Sequence, residues 1–151
     1  MEKRKTTTNR LWPLLIGVMS LIIITSCKGG GDDTPAPTDQ EIAQAILENT
    51  WIVGSTGSIS VDNTDVTDRY DGFSLNIGNG TYTTTNAGDL FPANGTWEWV
   101  GETDNIFTTG NGKEITITEL TETQFSFQFL KTEQNVAAGI SGNYSISLTA
   151  Q

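Results

Sequence analysis

From Thr50 onward, apolar side chains recur at every second position within a series of short runs, and this constrains the chain more than any other feature. The alternation is cleanest in Phe125-Ser126-Phe127-Gln128-Phe129, in Tyr144-Ser145-Ile146-Ser147-Leu148 and in Trp97-Glu98-Trp99. A period of two places one face of a strand in a core and the other in water, as antiparallel sheets do. The pattern predicts strands at Thr50 to Thr56, Phe73 to Ile77, Thr81 to Thr85 and Gly95 to Val100. Four more are expected at Ile106 to Thr109, Glu114 to Glu119, Gln124 to Lys131 and Asn143 to Thr149. Asn79-Gly80 and Asn111-Gly112 carry the signature of type I′ hairpins, and Thr121-Glu122-Thr123 is short enough for a third. Consecutive antiparallel neighbours make an up-and-down meander, which must hide its edges. Closure into a small all-β barrel of about eight strands is the simplest solution, and a two-sheet β-sandwich is the alternative.

Ahead of the strands, Thr38-Asp39-Gln40-Glu41 has the spacing of a capping box, and Ile42, Ala45 and Ile46 follow at helical intervals. A short amphipathic helix from Asp39 to about Glu48 is expected. With 151 residues, 36% of them hydrophobic, the chain has apolar material for one core and not for two.

The N-terminus has a basic stretch from Lys3 to Arg10, an apolar run from Leu11 to Ile24 and small residues at Thr25-Ser26 before Cys27. These are the zones of a secretory leader. Fourteen helical residues, Leu11 to Ile24, span roughly 21 Å, short of a hydrocarbon core of about 30 Å. Beyond Ser26, Lys28, Arg69, Lys113 and Lys131 oppose seventeen acids. A body this acidic repels nucleic-acid phosphates and anionic headgroups, so no nucleic-acid partner is expected. The chain has no His, which excludes Ser-His-Asp and Cys-His catalysis and every His-ligated metal centre. Its one Cys cannot form an intrachain disulfide.

Ile24-Thr25-Ser26-Cys27 resembles the lipobox of bacterial lipoproteins. The resemblance implies cleavage before Cys27, acylation of its sulfur and new amino group, and a membrane anchor of several acyl chains. Residues 27–37, rich in Gly, Pro and acid, read as a flexible tether. Lys28 followed by Asp32-Asp33 resembles the export signal of Bacteroidetes lipoproteins, which implies outer-membrane anchoring, on the periplasmic face or the cell surface. The chain therefore divides into a leader at 1–26, an acylated Cys and tether at 27–37, and a β domain at 38–151.

Within that domain, a helix, a strand beginning at Trp51, and then hairpins form the order of elements. Together with Asp71-Gly72-Phe73-Ser74-Leu75, Gly80-Thr81-Tyr82-Thr83-Thr84-Thr85-Asn86 and Gly95-Thr96-Trp97-Glu98-Trp99, this order resembles the lipocalin-like domains of Bacteroidetes lipoproteins. The resemblance implies a barrel holding a small apolar or amphipathic ligand, with Trp97, Trp99, Phe125, Phe127, Phe129 and Tyr144 as its lining. Side-chain volume allows the opposite outcome, because an eight-stranded barrel is narrow enough to be filled by its own rings. A filled barrel implies a structural or accessory module contacting an envelope protein or glycan.

Three further patterns bear on chemistry. Trp97 and Trp99 point the same way, as sugar-stacking indoles do, although alternation with Glu98 places them in the core. Asp62, Asp65, Asp68 and Asp71 recur every third residue and supply oxygen ligands for Ca²⁺, but their order departs from the EF-hand loop, and a solvated loop is the default. A hydrolase without His would need two convergent carboxylates, and among Glu98, Glu114 and Glu119 nothing marks such a pair. The expectation is a non-catalytic protein without a cofactor.

Overall fold

The computed structural model describes residues 35–132 and 139–151. The expected leader, Cys27 and most of the tether lie outside the described residues. No helix among those described is long and apolar enough to cross a membrane.

Helix α1 (Asp39–Leu47) begins at the expected capping box: the Thr38 side chain accepts from the Glu41 amide, and the Glu41 carboxylate accepts from the Thr38 amide at 2.7 Å. These bonds hold the exposed Glu41 carboxyl below its ordinary range. The helix buries Ala43 and Leu47. Its Leu47 carbonyl accepts from the Trp51 indole at 2.9 Å, which fixes the turn into the first strand.

The strands are β1 (Thr50–Ile52), β2 (Ser58–Val61), β3 (Thr64–Asp65), β4 (Ser74–Gly78), β5 (Thr81–Thr85), β6 (Asn94–Trp99), β7 (Ile106–Thr109), β8 (Glu114–Leu120), β9 (Gln124–Lys131) and β10 (Gly142–Ala150). From β4 to β10 each strand pairs antiparallel with the next, and β1 pairs with both β4 and β10, so the sheet closes on itself. The barrel is all-β and up-and-down. Strands β1 and β2 share one edge of β10: Trp51 and Ile52 face Ala150 and Thr149, and Ser58 to Val61 face Ser147 to Tyr144. They are one barrel strand interrupted by residues 53–57, so eight strands surround the core. Gly57 makes the interruption possible, because a Cβ there would overlap the carbonyl oxygens of Val53 and Ser147.

Two local expectations need correction. The aspartate-rich stretch is not only loop: β2 and β3 form a hairpin whose central residues, Asp62 and Asn63, have φ of 48° and 66°. That doubly positive pair is what a type I′ turn requires, and it occurs here rather than at the Asn-Gly sites. At Asn79-Gly80 only the glycine has positive φ, 66°. The β7–β8 connection is a three-residue loop, Gly110-Asn111-Gly112, in which the Gly112 amide donates to Thr109 at 2.7 Å and Gly112 has φ of 80°.

The alternation places the inward face as expected. Phe73, Leu75, Ile77, Tyr82, Trp97, Ile115, Ile117, Phe125, Phe127, Phe129, Tyr144, Ile146 and Leu148 are all buried in one core, with Trp99 packed against it. The barrel has two distinct ends. Helix α1 covers one, where Gln40 donates to the Gly101 and Thr103 carbonyls and Gln44 reaches Asn79. Residues 86–93, between β5 and β6, cover the other.

Candidate functional site

The barrel interior is the first place to look for a ligand, and it is full. Phe125 and Phe127 stack with centroids 4.6 Å apart, Phe129 stacks on Tyr144 at 5.3 Å, and Trp51 tilts against Phe125 at 5.4 Å. Trp97 meets Trp99 at 5.3 Å and 87°, with Trp97 buried and Trp99 half-buried against the core, so the two indoles stand edge to face and form no flat platform for a sugar ring. The Trp97 indole donates to the Gly78 carbonyl at 2.8 Å. The six expected lining residues pack in two groups: Trp97 with Trp99, and Phe125, Phe127, Phe129 and Tyr144 in a stacked row. The space left between Leu75, Tyr82, Phe91, Trp97, Phe107 and Phe127 is about 10 Å³. That is about one water-sized probe, against roughly 300 Å³ or more for a small-molecule pocket.

Not every ring in this core comes from a strand. Phe91 lies on the connection between β5 and β6 and inserts among Phe73, Tyr82, Phe127 and Phe129, with centroid distances of 5.5 to 6.4 Å. Its neighbours Ala87 and Leu90 are buried with it. The segment acts as a stopper, held by polar bonds from three directions. The Tyr70 hydroxyl donates to Asp89 at 2.9 Å, Lys131 pairs with the other Asp89 oxygen, and Lys113 donates to the Leu90 carbonyl. Burial, helped by the neighbouring Tyr144 hydroxyl, raises the Tyr70 pKa well above the usual phenol value.

Lys113 is the least conventional group in the domain. Its ammonium lies 4.3 Å from the Phe91 ring centre and 4.1 Å from that of Phe129. Burial pushes its pKa down to about 8. Ring quadrupoles and a carbonyl hold the cation in place.

The aspartates proposed as Ca²⁺ ligands are dispersed. Asp62 accepts from the Asn143 amide at 3.0 Å, tying the β2–β3 turn to β10. Asp65 accepts from the amide and hydroxyl of Thr67, the first residue of the short 3-10 helix Thr67–Tyr70, and these bonds lower its pKa. Asp68 and Asp71 stand over an open hollow of about 560 Å³ floored by Ile52, Val53 and Phe73. Among the described residues, no three His, Cys, Asp or Glu gather as a metal site requires. The Asp62 and Asp65 carboxylates serve as turn acceptors.

No family model, no curated protein and no solved structure matches the chain. The closed eight-stranded barrel is compatible with a lipocalin-like fold.

Sequence reasoning missed Phe91 and the stopper it anchors. The available signal was Leu90-Phe91, an apolar pair inside a segment otherwise made of Gly, Asp, Pro, Ala and Asn. Buried apolar residues in a turn-rich connection have to be covering something.

Proposed function

We propose that this protein is a non-catalytic envelope lipoprotein whose barrel is solid and serves as an accessory interaction module, contacting an envelope partner through its outer surface. The observation supporting this over a small-ligand carrier is the space of about 10 Å³ between the inward rings of Tyr82, Phe91, Trp97, Phe107 and Phe127, far too little for an apolar chain. The lipobox-like Ile24-Thr25-Ser26-Cys27 supports the anchor, with Cys27 acylated and the leader removed. The acidic, Gly- and Pro-rich stretch after Cys27 supports a spacer between membrane and domain.

The test is a titration with a dansyl-labelled undecanoic acid, whose fluorescence rises when it enters an apolar cavity. A solid barrel leaves the emission at the level of probe in buffer up to the solubility of the probe. Saturable enhancement, competed by unlabelled fatty acid, overturns the reading in favour of a ligand carrier.

A further inference from the structure

The three cations of the described domain lie at one end of the barrel. Arg69 sits in the 3-10 helix, while Lys113 and Lys131 reach the stopper. The helix end is different. Its turns and α1 carry Glu102, Asp104, Glu122, Asp39, Glu41 and Glu48, and no Lys or Arg among the described residues joins them.

At this acidic end an open trough of about 460 Å³ runs between α1 and β8. Ile42 and Ile46 form one wall, Ile117 and Leu120 the other, and Asp39, Asp104 and Glu119 stand on the rim. Ile42 and Ile46 are one helical turn apart and make a continuous ridge. Ile42 is nevertheless 46% exposed, because the helix is anchored through Ala43, Leu47 and Gln40 and not through that ridge. A register shift in β8 between Ile117 and Glu119 re-aims the facing strand at this point. The result is an apolar strip bordered by negative charge.

We propose that this trough docks a segment of a partner protein that presents apolar side chains flanked by Lys or Arg. The ridge supplies apolar contact, and the rim carboxylates steer a basic segment and set its orientation. The same carboxylates repel an anionic membrane surface and a second copy of this equally acidic chain. The proposal rests on the interaction-module reading and names its surface and partner chemistry.

The experiment uses the mature chain from residue 27 carrying Cys27→Ser, and a fluorescein-labelled amphipathic Leu/Lys helical peptide as probe. Anisotropy is expected to show saturable binding that weakens as salt rises, and amide shifts in a ¹⁵N spectrum are expected at Ile42, Ile46 and Glu119. Ile42→Asp adds negative charge yet should weaken binding about tenfold, because the apolar ridge is lost. Asp104→Lys with Glu119→Lys should weaken it by a similar factor, while Glu114→Lys, at the other end of the barrel, should leave it unchanged. Circular dichroism and thermal melts check that each variant stays folded. The proposal is overturned if no binding occurs, if Ile42→Asp binds as well as the parent, or if the shifts map elsewhere. Binding to phosphatidylglycerol vesicles in place of the peptide also overturns it. Uptake of the dansyl fatty acid would sink the solid-barrel reading and leave the peptide titration to decide the trough by itself.

Discussion

The ring of Phe91 meets that of Phe129 at 62° with 5.5 Å between centroids, although one comes from a loop and the other from the middle of β9. Phe91 also meets Phe73, Tyr82 and Phe127, so it plugs the end of the barrel opposite α1. Replacing Phe91 by Ala should cost about 3–5 kcal/mol in chemical denaturation, the usual range for emptying a buried aromatic site. It should also give the barrel a measurable affinity for benzene or xenon. A loss under about 1 kcal/mol would mean that the ring is peripheral to the core.

The stopper is held at Asp89, so weakening that residue should loosen the segment before the barrel. Tyr70→Phe removes one hydrogen bond and should cost about 1 kcal/mol. Asp89→Ala removes the acceptor shared by Tyr70 and Lys131 and should cost more. Hydrogen exchange should rise at residues 86–93 in both variants, with the β8 and β9 amides still protected. Uniform acceleration across the barrel would contradict a separable stopper.

Lys113 gives the domain an unusual alkaline response. Its folded pKa, about 8, lies below the ordinary lysine value of 10.5, so above pH 8 the unfolded chain binds more protons than the native state. Stability should therefore rise with pH between about 8 and 10, as the charged amine ceases to oppose burial. Above 10 the trend should reverse, because Tyr70 and Tyr82 are held protonated in the fold and ionise on unfolding. Lys113→Met should flatten the rise and leave the reversal. Urea midpoints across pH 7–11 provide the check, and a parent curve that is flat or falling from 8 to 10 contradicts the assignment.

At the other end, the capping box closes the first turn of α1 with two reciprocal bonds. Thr38→Ala should cost about 1 kcal/mol. Thr38→Ser, which retains the hydroxyl, should cost much less. Equal losses in the two variants would show that the cap bond contributes nothing.

Anchoring through Cys27 predicts a clean fractionation result. The parent chain should incorporate labelled palmitate and sediment with membranes, whereas Cys27→Ala should do neither. Membrane association that survives the substitution would contradict an acyl anchor.

Much of this fold is legible in the sequence because strands with one wet face announce themselves. Phe125, Phe127 and Phe129 alternate with Ser126 and Gln128, and all three rings are buried where the pattern puts them. The capping box is equally readable, since its two partners lie three residues apart and need no tertiary context. The β2–β3 hairpin is harder. Ser58-Ile59-Ser60-Val61 is only four residues long, and its turn uses left-handed Asp62 and Asn63 in place of glycine, so a run of aspartates reads as loop. Phe91 is harder still. Period-two reasoning assigns a direction only to strand residues, and the direction of a loop side chain is set by what it covers in three dimensions. The filled interior is a matter of summed volumes, to which one unforeseen ring contributes decisively.

Native mass spectrometry of the protein released gently from its host cells tests the solid barrel most directly, because it reports whatever the domain carries in the cell. The account predicts the mass of the acylated polypeptide alone, under conditions that preserve a control lipocalin–ligand complex. A stoichiometric small-molecule adduct, lost on denaturation, would contradict it.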